Sequence, residues 1–134
     1  MSSDPERAAN AWRKAEAHLQ EALAQSADAS PMAIIHSSYY AMFHVARAVL
    51  FQANGSAPRR HDQTIQQFGL LVRGLDEDLR AAGRTLNQIK DERNDADYNE
   101  TVIPSAQEGR DALNAASSFL RVCGVRYDFR PWKT

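Results

Sequence analysis

Residues 32–53 read MAIIHSSYYAMFHVARAVLFQA. Ile34, Met42, Phe43, Val45, Ala46, Val49 and Leu50 recur at helical intervals but cover more than one face. A helix that is apolar on several sides has to be surrounded, so this one, over residues 31–53, is expected to be the most buried in the molecule. Ser30 is placed to cap it, with Pro31 in its first turn, where a missing N–H costs nothing. Asn54 and Gly55 suit a left-handed C-terminal closure. The same Asn-Gly pair can mark a hairpin, but no alternating strands flank it.

The surrounding helices are legible in the same way. Ala8, Trp12, Ala15, Leu19 and Ala22 form one stripe of a first helix over residues 4–26, with Ser3 or Asp4 as cap, Pro5 in the first turn and Glu6 placed for a capping box. A short third helix over residues 61–73 turns Ile65, Phe68 and Leu71 or Val72 inward and ends at Gly74. A fourth, over residues 76–97, opens on Asp76, Glu77 and Asp78, which favour the positive helix end. It carries Leu75, Leu79, Ala82, Leu86 and Ile89. Its internal Gly83 costs about 1 kcal/mol against alanine, which allows a bend or break there. A fifth, over residues 104–123, places Ala112, Leu113, Ala116, Phe119, Leu120 and Cys123 on one side, with Gly124 closing it. Only the aromatic tail, residues 125–134, shows any strand period, in VRYDFRPW. The expected fold is all-α: a single domain over residues 1–134, an antiparallel four-helix up-and-down bundle with a short extra helix between the second and fourth helices.

Composition narrows the function. The chain has 134 residues, enough for one core. Its formal net charge of −1 gives no overall field toward nucleic acid or membrane, so an anionic ligand must be held by a local patch. A single cysteine, Cys123, excludes an intrachain disulfide framework and a multi-thiolate metal site, and fits a reducing compartment. The first residues lack the apolar run of a signal peptide, and no segment is long enough to span a bilayer. The expectation is a soluble, cytoplasmic protein without a membrane partner.

The candidate site begins with an arginine out of place. Extending the fourth-helix stripe past Leu86 and Ile89 leads to position 93, where an apolar side chain is due and Arg93 stands. A buried guanidinium is costly unless carboxylates, carbonyls or an anion hold it. Asp97, one turn on at i+4, can pair with it. Either the pair locks the helix end, or Arg93 binds an anion in a cleft. On the second helix His36, Tyr40, His44 and Arg47 step by four, four and three. This polar stripe reads as a solvated face, or as the lining of a cleft or dimer seam. Arg59, Arg60 and His61 form a secondary basic patch on a loop. Asp91, Glu92 and Asp95 read as a solvated acidic helix end.

No metal site is expected: His36 and His44 lie two turns apart, and neither has a carboxylate at i+4. No phosphate-cradling glycine loop, nucleophile elbow or Cys/His triad is present, so no cofactor is expected.

Three stretches resemble a known family. SSYYAMFHVARAVLF (37–51) is similar to the second helix of the HEPN proteins, above all the small bacterial and archaeal ones. RRHDQTIQQF (59–68) resembles their next segment, and ERNDADYNETVIPSAQEGRDALNAASSFL (92–120) resembles their Arg-x-x-x-Asp-Tyr run and final helix. The resemblance spans about residues 5 to 122. It implies a helical bundle that dimerises, and in many members a ribonuclease, often a toxin paired with a small nucleotidyltransferase. It makes Arg93 the motif arginine, catalytic if the protein is a ribonuclease, followed by Asn94. The histidine that belongs four to six residues later is missing: Tyr98 stands five residues on, then Asn99 and Glu100. Imidazole moves protons near neutral pH, whereas a phenol with a pKa of about 10 is a poor base.

The resemblance and the missing histidine together favour a non-catalytic module of toxin–antitoxin type. In this reading a homodimer cleft of Arg93, Asn94, Asp97, Tyr98, Tyr40 and His44 binds a nucleotide, RNA or a protein partner. The alternatives are a metal-independent ribonuclease with a displaced histidine, His44 or His61, and a structural partner subunit of a small nucleotidyltransferase.

Overall fold

The computed structural model describes residues 4–129. Its regular elements are α1 (Asp4–Leu23), α2 (Pro31–Asn54), α3 (His61–Arg73), α4 (Glu77–Tyr98) and α5 (Ala106–Tyr127), all helices, with no strand among the described residues. The expected cap residue Ser3 and the tail residue Trp132 lie outside the described residues.

α2 is the centre. It packs against each of the other four helices, most extensively α1 and then α5. Its buried residues run from Ile34 and Ile35 through Met42 and Val45 to Val49 and Leu50, and they occupy several faces, as the composition of the stretch requires. α1 can lie close along it because its inward stripe is mostly alanine: Ala8, Ala11, Ala15 and Ala22 alternate with the larger Trp12 and Leu19. Gly55 closes α2 at φ 78°, a backbone conformation that costs a β-carbon dearly.

The helix ends follow local chemistry. Asp76 caps α4 by accepting from the Leu79 N–H at 3.2 Å. Ser105 caps α5 in a capping box: its hydroxyl accepts from the Glu108 N–H at 3.1 Å, and the Glu108 carboxylate accepts from the Ser105 N–H at 3.1 Å. An intact cap of this kind contributes about 1 kcal/mol.

Four expectations are corrected. α4 runs unbroken through Gly83. The glycine serves an approach to α3, since a β-carbon there would stand 3.0 Å from Val72 Cγ2. Gly124 does not end α5: it is a buried helical residue, and the helix continues to Tyr127, closing on Asp128 at φ 55°. The strand reading of residues 125–127 is therefore overturned. This last turn is held by Gln52 Nε2, which donates to the Tyr127 carbonyl at 2.9 Å, and by Phe129, stacked on Trp12 with ring centroids 4.9 Å apart. At the other end α1 stops at Leu23 rather than residue 26, where a turn takes over.

Among the described residues no helix is long and apolar enough to cross a membrane.

Candidate functional site: an arginine among tyrosines and histidines

Arg93 projects inward from the last turns of α4, with its side chain 16 % exposed. Its Nη2 donates to the Tyr40 hydroxyl at 3.2 Å and its Nη1 to Asn94 Oδ1 at 3.1 Å. Its Nε lies 3.1 Å from Asp97 Oδ2, but out of line for a hydrogen bond. The guanidinium also sits over two rings, 5.3 Å from the centroid of Tyr39 and 5.5 Å from that of Tyr40. Such contacts stabilise a partly desolvated cation by roughly 0.5–2 kcal/mol each. The charge is therefore held in place by neutral groups and one carboxylate. Asp97 is shared, because His36 Nδ1 stands 3.5 Å from the same oxygen. Asp97 thus stands against both Arg93 and His36.

The other side of the tyrosine pair carries an imidazole. His61, the first residue of α3, places Nδ1 2.7 Å from the Tyr39 hydroxyl and stacks on Phe43 with centroids 4.0 Å apart and planes 13° from parallel. Burial, reinforced by Arg93 and Arg47, lowers the His61 pKa below its ordinary value. Tyr39 is fully buried, and burial pushes its phenol up to about 12, with Arg93 pulling the other way. At neutral pH both groups are uncharged and share one proton across this bond. With Tyr39 donating, Nε2 carries the ring proton.

All four histidines of the chain converge here. His18, His36 and His61 have ring centroids 5.6, 4.9 and 5.5 Å from that of Tyr40. His44 lies one layer further along, stacked on His18 at 5.2 Å with planes 2° apart. Burial, followed by the positive charges of His18, Lys14, Arg47 and His61, lowers the His44 pKa to about 4. That makes a stability prediction. Unfolded His44 takes a proton as pH falls through about 6.5, while folded His44 stays neutral until about 4. Stability is thus complete above pH 6.5 and is lost as pH falls toward 4. Urea midpoints measured from pH 7.5 to 4 are expected to fall across this window, and less steeply in His44→Gln.

The structure joins some of the expected site residues and separates others. Arg93, Asn94, Asp97 and Tyr40 meet. His44 does not touch Arg93 but stacks on α1's His18. Tyr98 stands apart from them: it is 75 % exposed and makes no hydrogen bond or ring contact among the described residues. The stripe of His36, Tyr40, His44 and Arg47 is half-buried, not a solvated face. Of the basic patch, Arg59 and Arg60 are exposed, Arg60 pairing with Asp62 at 3.3 Å, while His61 belongs to the main site. Tyr39, Phe43 and His18 were not legible as site residues, because each enters through a contact between helices. No group of three or more histidine, cysteine or acidic side chains among the described residues stands where it could hold one metal ion.

An all-helical chain that turns an arginine of its fourth helix onto a tyrosine pair of its second defines a class by fold and site together. The HEPN domain model matches residues 8–126, nearly the whole chain, and the protein belongs to the HEPN domain family. No curated protein matches it.

Proposed function

We propose that this HEPN protein is a non-catalytic module that binds a phosphate-bearing ligand, a nucleotide or RNA, at Arg93. The observation that carries the reading is the state of that guanidinium: it is nearly buried, oriented by Tyr40 and Asn94, and its Nε, 3.1 Å from Asp97, makes no hydrogen bond. A preoriented arginine of this kind recognises a phosphate oxygen pair with little loss of side-chain entropy. In the proposed arrangement the long helices form an antiparallel up-and-down bundle, with α3 inserted between α2 and α4. Two copies form a homodimer with their Arg93 sites facing one cleft. Tyr98 and Ile103, 75 % and 86 % exposed, would then face the second copy or a nucleotidyltransferase-type partner in a toxin–antitoxin pair. We place the protein in the cytoplasm, in keeping with its one cysteine.

A second reading is favoured by one specific contact. His61 supplies, from α3, the imidazole that α4 lacks, one tyrosine away from Arg93. A metal-independent ribonuclease would use Arg93 to stabilise charge on phosphate and His61 to move protons. Incubation with bulk tRNA separates the two readings. The binding-only reading expects no cleavage. Cleavage abolished by both Arg93→Ala and His61→Ala would overturn it in favour of the nuclease.

A further inference from the structure

A second group of cations lies two turns along α2 from Tyr40, where Arg47 meets the loop before α3. The Arg47 Nε donates to the Pro58 carbonyl at 3.2 Å, and its guanidinium lies over the Phe51 ring at 5.4 Å. Thr64 Oγ1 donates to the same carbonyl at 3.2 Å and to the Arg60 carbonyl at 2.8 Å. These bonds pin the loop on both sides of Arg59 and hold that residue beside Arg47. Burial lowers the pKa of Arg47, and the neighbouring Arg59 charge lowers it further.

Among the described residues no carboxylate pairs with Arg47 or Arg59. His18 and Lys14 face it from α1, and His61 from α3. The nearby acids are spoken for: Glu21 lies 3.3 Å from His18, and Asp62 is paired with Arg60. Among the described residues Lys14, Arg47 and Arg59 make no ion pair, and His44 Nδ1 is buried with no hydrogen-bond partner. Cations gathered in this way repel one another unless an anion joins them.

We propose that Arg47 and Arg59, with His44 one turn from Arg47, form a second anion subsite, which takes a neighbouring phosphate of the ligand whose first phosphate binds Arg93. The inference rests on the phosphate-binding reading of Arg93. Tyr40, the partner of Arg93, and Arg47 are seven residues apart, about 10 Å along the helix axis at 1.5 Å per residue. That separation suits phosphates on successive nucleotides of a single strand better than the adjoining phosphates of one nucleoside triphosphate. The two subsites lie along one line on α2, with His61 between them, so the strand would run along that helix across the opening of α3.

The probe is a fluorescein-labelled single-stranded oligoribonucleotide, followed by anisotropy against salt, with ATP as competitor. Arg59→Gln alters an exposed loop side chain and should leave the fold intact, which circular dichroism checks. Each lost phosphate contact is expected to make the slope of log K against log salt shallower by about 0.7. Arg59→Gln and Arg47→Gln should each show this, with affinity weakened roughly three- to tenfold in keeping with one lost phosphate contact. ATP should displace the oligonucleotide poorly. If both variants keep the wild-type slope while Arg93→Gln abolishes binding, the second subsite is wrong and the Arg93 reading stands. If none of the three substitutions changes binding, both are wrong. If ATP competes as strongly as unlabelled oligonucleotide, a single compact phosphate site is present and the two-subsite geometry fails.

Discussion

Arg93→Gln is expected to fold, and to bind a labelled oligoribonucleotide roughly 30- to 1,000-fold more weakly than the wild type, the loss of about 2–4 kcal/mol that accompanies removal of one half of a desolvated charged contact. Glutamine keeps much of the side-chain volume and can still donate to Tyr40, but it cannot carry charge onto the two tyrosine rings. The stability cost should be smaller, about 1–2 kcal/mol, because Asp97 keeps its neighbour His36 when the guanidinium goes. The signature is therefore a large binding defect with a modest shift in urea midpoint. A variant that binds as well as the wild type would leave Arg93 as a structural ion pair.

Phe43→Ala should show the reverse balance, costing about 3–5 kcal/mol of stability because a nearly buried ring is removed and a cavity remains. Phe43 is 4 % exposed and touches more than the core. It is the surface on which His61 stacks, and it meets the rings of Tyr39, Tyr40 and His44. Without it the imidazole loses the contact that fixes its plane, so the Tyr39–His61 bond should loosen. Thermal or urea unfolding measures the first effect. Nuclear magnetic resonance of the histidine ring protons measures the second, as a His61 resonance broadened or moved toward its free position. A variant that unfolds with the wild type would show that the cavity is filled by repacking. Phe43→Leu keeps apolar volume without the flat face, and should lose the His61 effect at a smaller cost in stability.

The helices were legible because their causes are local. Apolar side chains at three- and four-residue steps, a proline after Ser30 and glycine after Asn54 mark α2 without reference to anything distant. Ser105-Ala106-Gln107-Glu108 marks the start of α5 in the same way, and this capping box sets the first helical residue at Ala106 rather than the expected 104. Arg93 was legible too, since a charge in an apolar register stands out. The orientation of Tyr98 was open to the same reasoning: five residues past Arg93 is about 140° around a helix, while Asp97 is about 40° away. Family position alone grouped Tyr98 with Arg93, and helix geometry turns the two side chains apart. The end of α5 was misread because glycine commonly closes helices, yet Gly124 is buried and packed, and Phe129 docking on Trp12 lets the helix run on.

By itself the sequence determined an all-α chain with five helices, a most-buried second helix and an arginine aimed inward near the end of the fourth. Each of these depends on side chains within a few turns of one another. The tertiary structure alone decided which groups surround that arginine. Tyr39 and His61 are 22 positions apart, and Arg93 reaches Tyr40 across 53, so their contacts exist only once α3 and α4 are packed on α2. The same packing brings His18 of α1 onto His44 and brings the Arg59 charge beside Arg47. Helical periodicity specifies a direction for each side chain, but what stands in that direction is set by helix packing.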